Sequence, residues 1–214
     1  MIKAITTFFL SLSLLFSPGP KNALPSPTPE VKEIVYPQIL EKPIVSVKGW
    51  KKFKQINGWS IMYPPDWRLS GTHASGTNEK DLASNPNTFV DFFPKKNYLD
   101  NEGWVMIDCG GDGTTSVDMH LKSWDSLSLP RDTIKERIMF KGYEADKIIW
   151  RNIYENGKKS TWDEDIYIPL QDKKISCGIG FNTTSEGTPK TYDHIEDYKN
   201  YEIYQQMLRT FKFE

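Results

Sequence analysis

Residues 58–67 read Gly-Trp-Ser-Ile-Met-Tyr-Pro-Pro-Asp-Trp, and they predict a short strand that ends at a proline corner. Asn57-Gly58, at its start, is a two-residue hairpin signal because both residue types tolerate positive φ. The next five residues alternate like a half-buried strand. Pro64-Pro65 ends that strand because proline cannot donate to the ladder. Tyr63 and Trp67 flank the corner, so we expect their large rings to anchor it in the core; a binding role is the alternative.

Further strands are predicted on both sides of this corner. The hydrophobic pattern places them at 49–56, 59–63, 88–93, 104–109, 134–140, 144–154, 161–170 and 173–181. Turn signals separate most of them, including a second hairpin signal at Asn156-Gly157. Residues 70–87, rich in Ser, Gly, Thr and Asn, are predicted to form a long surface loop, and residues 110–113 a turn.

Two helices accompany these strands. Ser116 is a candidate N-cap for a helix that ends near Ser126, with apolar positions at Met119, Leu121, Trp124 and Leu127. A second helix is predicted over 197–210 because its apolar residues share one face; they are Tyr201, Tyr204, Met207, Leu208 and Phe211. Phe211 and Phe213 then alternate as in a final strand. Many hairpin strands with few helices predict an α+β fold, with an antiparallel sheet covered by helices.

The N-terminus has the pattern of an export segment. Lys3 precedes the apolar run Ala4–Phe16, whose 13 residues suit a signal peptide and fall short of the ~20 that span a bilayer. Residues 21–23 (Lys-Asn-Ala) are a poor cleavage site, so residues 1–23 are interpreted as a signal peptide or an uncleaved N-terminal anchor; a buried helix is the alternative. The expected location is outside the cytoplasm, secreted or tethered to the outer face of the cytoplasmic membrane.

A proline-rich linker at residues 24–47 follows. Seven of the fourteen prolines lie between residues 17 and 43, and the alternation of proline with small polar residues favours extended polyproline II. Three interpretations stay open: a stiff spacer, a disordered leader and a proline-recognition ligand. Residues 48–214 form the predicted domain.

Composition narrows the classes of partner. The chain has 27 basic and 28 acidic residues, with a formal net charge of −1. It therefore lacks the cationic surplus that phosphate binding requires, and we expect no nucleic-acid partner. Aromatic residues make up 13 % of the chain, which supplies enough large apolar surface to build a core.

The chain has two cysteines, Cys109 and Cys177, both in predicted strands. In an exported protein they can form a structural disulfide, which would close a loop of about 68 residues and add about 4 kcal/mol of stability. Two buried free thiols are the alternative. We expect no metal site at these cysteines, because no further Cys or His lies at ligand spacing.

No catalytic motif is evident. His73, His120 and His194 lie in a predicted loop, helix and loop, and no G-x-S-x-G elbow surrounds any serine. A Ser-His-Asp triad stays open because its members meet only in space. We therefore predict no catalytic residue and no enzymatic activity. Asn182-Thr183-Thr184 matches a glycosylation acceptor.

Acidic residues cluster at 163–165 (Asp-Glu-Asp) and at Asp108 and Asp112. Oxygen ligands on adjacent loops can hold calcium, but these residues lack the spacing of a calcium loop. Within the trio the first and third carboxylates would point to one strand face and Glu164 to the other. We interpret the trio as solvated strand positions, and expect no cofactor, with calcium as the open alternative.

Three stretches together resemble the PsbP-like family. Residues 58–67 are similar to its opening G-[aromatic]-S-x-x-Y-P-x-x-W, residues 142–148 (GYEADKI) to its G-x-x-A-x-x-[aliphatic] strand entry, and residues 204–213 (YQQMLRTFKF) to its last helix running into a TFxF strand. The resemblance spans about residues 48–214. It implies a central antiparallel sheet flanked by helices, an α/β/α sandwich.

This resemblance does not imply one function. Some plant and cyanobacterial members are extrinsic subunits of photosystem II that support calcium and chloride retention, a relative of the same fold binds the Ran GTPase, and many bacterial members are exported. The chain has a signal and linker of bacterial type rather than an Arg- and Ser-rich transit peptide. We therefore expect an exported, non-enzymatic binding or accessory module at the outer membrane face, with an unknown protein partner. The alternatives are a calcium-linked photosystem II-type extrinsic subunit and a hydrolase.

Overall fold

In the computed structural model the described residues are 46–71, 78–95, 102–111, 113–126, 131–153, 158–183 and 191–214. The predicted export segment, nearly all of the linker, His73, Asp112 and the Asn156-Gly157 turn lie outside these ranges. No helix within them has the length and apolar composition of a membrane span.

The described chain forms ten strands and three α-helices. The strands are β1 (Lys51–Gln55), β2 (Trp59–Tyr63), β3 (Trp67–Ser70), β4 (Val90–Pro94), β5 (Trp104–Gly111), β6 (Arg131–Phe140), β7 (Tyr143–Asn152), β8 (Asp163–Leu170), β9 (Ile175–Asn182) and β10 (Lys212–Phe213). The helices are α1 (Glu79–Ser84), α2 (Val117–Asp125) and α3 (Tyr201–Thr210), with short 3₁₀ helices at Gln171–Lys173 and Ile195–Asp197.

Seven strands form one antiparallel sheet in the order β3-β4-β5-β9-β8-β7-β6. Helices lie on both of its faces, because His120 of α2 contacts Asp146 while Tyr201 of α3 contacts Glu164, and these two carboxylates point to opposite faces. The fold is therefore α+β, a central antiparallel sheet flanked by helices.

The first hairpin does not belong to the central sheet. β1 and β2 pair with β10 in a separate three-stranded sheet, in which Phe213 lies opposite Trp59. Pro64 and Pro65 interrupt the backbone ladder after β2, so the chain leaves the hairpin there and starts β3 in the larger sheet. The predicted sheet therefore has to be corrected to two sheets.

The turn of this hairpin has three residues rather than the predicted two. Gln55 pairs with Trp59, which leaves residues 56–58 as the loop. Gly58 has φ of 90° and its N–H donates to the Gln55 carbonyl at 3.1 Å. Asn57 does not have the positive φ that a type I′ turn requires, so glycine is needed at one loop position only.

The core lies between the two sheets and α3. Trp59 stacks on Phe211 with ring centroids 5.8 Å apart, and Phe53 meets Phe92 edge-on at 5.9 Å. Aromatic pairs of this kind add to the gain from removing large apolar surfaces from water. The contacts join the C-terminal segment and the first hairpin to the central sheet.

The proline corner packs into this core. Tyr63, Pro64 and Trp67 are buried, and the Trp67 N–H donates to the Pro64 carbonyl at 3.1 Å. The Tyr63 hydroxyl donates to Glu79 of α1 at 3.1 Å, and burial beside this carboxylate raises the pKa of Tyr63. The corner therefore holds β2, β3 and α1 together.

Residues 70–87 contain α1, so the predicted long surface loop is wrong. Asn78 caps the helix, with its side-chain oxygen accepting from the Asp81 N–H at 2.9 Å. Leu82 is the one buried residue of this six-residue helix. Two turns with a single apolar contact do not produce a periodic pattern, which explains why the pattern did not predict α1.

The last helix begins later than predicted. Ile195–Asp197 is a 3₁₀ helix, and α3 starts at Tyr201. Four of the five predicted apolar positions lie in α3 and are buried, and Phe211 follows as its C-cap, with its N–H donating to the Met207 carbonyl.

Candidate functional site: the polar face of the seven-stranded sheet

The two faces of the central sheet differ in chemistry. The face toward the core carries apolar side chains such as Phe92, Val105 and Ile179. The opposite surface, here called the polar face, has a row in which Asp91, Met106, Gly180 and Asp165 lie side by side across β4, β5, β9 and β8. A second row has Asp108, Gly178, Tyr167 and Asp146. Cross-strand neighbours point to the same face, so all these side chains share one surface.

Glycines at two successive positions of β9 leave a trough across the polar face. At Gly178 an added Cβ would meet only the Asp108 carbonyl oxygen, at 3.9 Å, so the space above it is open. At Gly180 an added Cβ would lie 2.9 Å from an Asp165 oxygen, so that end is closed by the carboxylate. The trough, defined by Gly178 and Gly180, runs between Met106 and Asp108 on one side and Asp165 on the other.

The carboxyl groups around the trough are perturbed. Burial raises the pKa of Asp91 to about 6, against a hydrogen bond from Trp104 that favours the ionised form. Burial also raises the pKa of Asp165, although its Oδ2 accepts from Trp150 Nε1 at 3.0 Å. Carboxyl groups with raised pKa values on one surface are a common feature of functional sites.

A histidine–aspartate pair lies beside the trough. Nδ1 of His120 lies 3.1 and 3.0 Å from the two carboxylate oxygens of Asp146, which is fully buried. The His120 ring stacks on Tyr167 with centroids 4.1 Å apart. Burial raises the pKa of Asp146, opposed by His120 and by Arg137. The pair fixes the orientation of the imidazole, as an acid–base site requires.

Helix α2 is held on the polar face mainly by polar contacts. Asp125 pairs with Lys135 and Asp118 with Arg137, both on β6. Val117 is the one fully buried residue of the helix. Met119, a predicted apolar contact, is 59 % exposed, so that prediction is wrong. Of the other predicted apolar positions, Leu121 and Trp124 are half-buried and Leu127 lies outside the described residues, so ion pairs supplement a reduced apolar contact.

Aromatic contacts continue this interface. Trp124 of α2 lies 5.3 Å from Trp150, and the Arg131 guanidinium lies 5.4 and 5.2 Å from the two ring centroids. The Tyr167 hydroxyl donates to the Thr115 carbonyl at 2.8 Å, before the helix begins. These contacts place His120 over Tyr167, and no signal local to either residue in the sequence predicts them.

The acidic trio at 163–165 is not solvated, contrary to the prediction. Asp163 is buried and accepts from the Thr183 N–H at 2.7 Å. Glu164, on the core face, accepts from Tyr201 and Tyr204 hydroxyls at 2.6 and 3.1 Å. The predicted division of the trio between two strand faces is correct. Their burial depends on partners far along the chain, which the sequence pattern does not contain.

The two cysteines are joined in a disulfide. Cys109 of β5 and Cys177 of β9 lie on paired strands with Cα atoms 4.0 Å apart, and both are buried. Of the two alternatives from the sequence, the structure therefore has the paired form. The disulfide lies on the core face, one residue from Gly178 of the trough, and ties together the two strands that form the trough floor and one wall.

Other candidates lie apart from this site. His194 precedes the 3₁₀ helix at Ile195–Asp197. The amide nitrogen of Asn182, the glycosylation candidate, is buried. Within the described ranges, no three His, Cys, Asp or Glu side chains form a group that could hold a metal ion.

Comparison with known proteins found similarity at the level of structure. No protein-family model matches the chain, and no curated protein matches it. The crystal structure of the Saccharomyces cerevisiae Ran-binding protein Mog1p has a TM-score of 0.47 and 12 % identity, and the match covers 77 % of this chain and 95 % of that one. A mutant of protein Mog1 has a TM-score of 0.46 with the same identity and coverage.

Proposed function

We propose that the chain is an exported, non-enzymatic binding or accessory module at the outer face of a membrane, and that its protein partner binds the polar face. One observation carries the proposal. Helix α2 contacts β7 and β8, and over β4, β5 and β9 of the polar face the structure describes no helix. A sheet face with a glycine trough and perturbed carboxyl groups is suited to receive another molecule.

The side chains beside the trough suit a protein partner. Trp104 and Met106 are half-buried, and both residue types are enriched where proteins bind each other. Trp104 stacks on Phe93 at 5.6 Å, and Arg68 lies 5.6 Å from the Phe93 ring. This row gives a rigid apolar anchor beside the carboxylates, which would supply the polar rim of an interface.

Export is supported by two further features. Residues 1–23 have the pattern of a signal peptide or anchor, and the Cys109–Cys177 disulfide is typical of proteins that work in oxidising compartments. The linker at 24–47 would then join the domain to the membrane-associated segment.

The experiment is cross-linked capture from envelope fractions with the full chain and two variants. Gly178→Val fills the trough, and the open space above Gly178 lets the domain fold. Asp197→Asn, at an exposed position of the 3₁₀ helix Ile195–Asp197 and outside the polar face, is the control. We expect wild type and the control to recover one common protein that Gly178→Val loses. Recovery of the same protein by all three would refute the polar face as the binding surface, and no partner in any sample would count against the function itself.

A hydrolase is the second candidate, and the His120–Asp146 pair favours it. The aspartate holds Nδ1, an arrangement in which Nε2 can act as a general base. In this candidate function we propose water as the nucleophile, activated by Nε2. Turnover of ester, peptide or glycoside substrates that His120→Ala abolishes would establish this function; no turnover by wild type would dispose of it.

A further inference from the structure

Lysines gather on the side of the molecule away from the polar face. Lys52 and Lys54 of β1 alternate with the buried Phe53, so they point out of the three-stranded sheet, and their side chains are 55 % and 60 % exposed. Lys212 of β10 is exposed on the same surface, because it lies opposite Ser60, which is also the partner of Lys54. We call this surface the lysine face.

Two more lysines border this face, from turns of the central sheet. Lys173 Nζ lies 5.6 Å from the ring of Phe213 in β10, an edge strand of the three-stranded sheet, so it lies at the border of the lysine face. Lys141 Nζ donates to the carbonyl of Arg209 at 2.9 Å, at the end of α3 that leads into β10. Both lysines are exposed. Residues distant in sequence thus bring five lysines to one end of the fold.

One carboxylate lies among these lysines. Glu214 accepts from Lys52 at 2.9 Å and from Lys54, and these contacts lower its pKa to about 2. Counting these side chains alone, five lysines against the Glu214 carboxylate leave an excess of four positive charges. The charges of Asp172 and Lys174, in the same turn as Lys173, cancel each other. The chain as a whole has a net charge of −1, so positive charge is concentrated here.

We propose that the lysine face docks on an anionic lipid surface. β1, the strand that carries Lys52 and Lys54, is the first described strand after the linker in sequence. The inference rests on the proposed function in that the N-terminal segment keeps the domain in the neighbourhood of a membrane. Each lysine near an anionic membrane strengthens binding about 5-fold, and a second weak attachment converts reversible contact into stable anchoring. The core separates the lysine face from the polar face, so docking leaves the polar face exposed to the aqueous side and does not depend on its partner.

The test uses the full chain and vesicles of phosphatidylcholine with or without phosphatidylglycerol. Lys173→Glu with Lys212→Glu reverses two charges on the lysine face. Lys122→Glu with Lys199→Glu makes the same charge change at exposed lysines elsewhere. We expect the first variant to lose at least about 25-fold in partition to phosphatidylglycerol vesicles, with this loss shrinking at high salt. The control variant should partition like wild type.

If the apolar N-terminal segment alone binds all of the protein to the vesicles, partition no longer reports on the lysines. A second measurement therefore tests whether lipid covers the lysine face. Acetylation of lysines by a soluble reagent is compared with and without vesicles. Protection of Lys173 and Lys212 by phosphatidylglycerol vesicles, with Lys122 and Lys199 still reactive, supports docking. Equal reactivity of all four lysines overturns it. Protection by soluble polyglutamate but not by the vesicles also overturns it, and assigns the face to an acidic protein instead.

Discussion

Oε2 of Glu164 accepts a hydrogen bond from the Tyr201 hydroxyl at 2.6 Å, which ties the centre of the seven-stranded sheet to the last helix. Oε1 of the same carboxylate accepts from Tyr204 at 3.1 Å, one helical turn further along. Glu164 has no exposed surface. Burial raises its pKa, whereas the charge of Lys147 and the hydrogen bonds from the two tyrosines act to lower it. Burying a carboxyl group without hydrogen-bond donors would destabilise the fold. The position of α3 therefore depends on the two bonds that its tyrosines donate to Glu164.

The first prediction concerns this network. Tyr201→Phe should lower the free energy of unfolding by about 1–3 kcal/mol, because it leaves one oxygen of a buried carboxyl group without its donor. Glu164→Gln with Tyr201→Phe should cost less than the sum of the two single changes, since both act on one bond. Urea denaturation measures the three values. Tyr143→Phe, at a half-buried tyrosine outside this network, is the control, and an equal effect there would contradict the assignment.

The second prediction is a pH dependence set by Asp91. Its folded pKa, about 6, lies above the ordinary value of 3.8, so between these values the folded state binds more protons than the unfolded state. Stability should therefore fall as pH rises from about 4 to 6, by up to about 3 kcal/mol. Asp91→Asn, which keeps an acceptor for Trp104, should remove the part of this fall that Asp91 contributes and be more stable than wild type at pH 7.5, while the raised pKa values of Asp146, Glu164 and Asp165 keep the rest.

Denaturation across this pH range checks the result, with Asp108→Asn, an exposed position on the same face, as the control. A wild-type stability that rises from pH 4 to 6, with Asp91→Asn rising in parallel, would show that Asp91 ionises normally in the folded protein.

The third prediction concerns the disulfide. Cys109→Ala with Cys177→Ala should lower stability by about 4 kcal/mol, because the closed loop restricts the unfolded chain, and should lower the melting temperature by about 10 °C. Both cysteines are buried, so reductant should act on the native protein only through its opening. Thiol labelling that is as fast without denaturant as with it would be inconsistent with this burial.

The fourth prediction concerns the docking of α2. His120→Ala leaves the buried carboxyl group of Asp146 without its partner and should destabilise the protein by roughly 2 kcal/mol. The loss should appear as faster hydrogen exchange in α2, with α3 unchanged, because the contacts of α2 are mostly polar. His194→Ala, at an exposed histidine, is the matched control. Equal acceleration of exchange in both helices would mean that the pair acts on the whole fold.

Local features were the predictable part of the fold. Ser116 caps α2 as expected, with its side chain accepting from the Met119 N–H at 3.2 Å, and the apolar face of α3 follows its helical spacing. The strands of the two long hairpins were recognisable from alternation and turn residues. β3 was missed because its four residues, directly after the proline corner, are too few for a periodic pattern.

The candidate site was the less predictable part. The alternation of residues 163–165 correctly separates Glu164 from its neighbours, but does not indicate that tyrosines 37 and 40 residues away cover it. Gly178 and Gly180 form a trough only because Asp108 and Tyr167 flank the same positions on neighbouring strands. The orientation of the His120 ring is fixed by Asp146, which lies on β7 rather than on α2.

By itself the sequence determined the cap at Ser116, the alternation of most strands and the apolar face of α3, together with the export pattern of the N-terminal residues, because each depends on residues within a few positions of one another. Only the tertiary structure decided that the first hairpin joins β10 in a second sheet, that Cys109 meets Cys177, and that lysines and carboxylates collect on opposite sides of the core. These outcomes depend on contacts between residues far apart in the chain. The burial and pairing that stabilise these contacts exist only once the strands are in register.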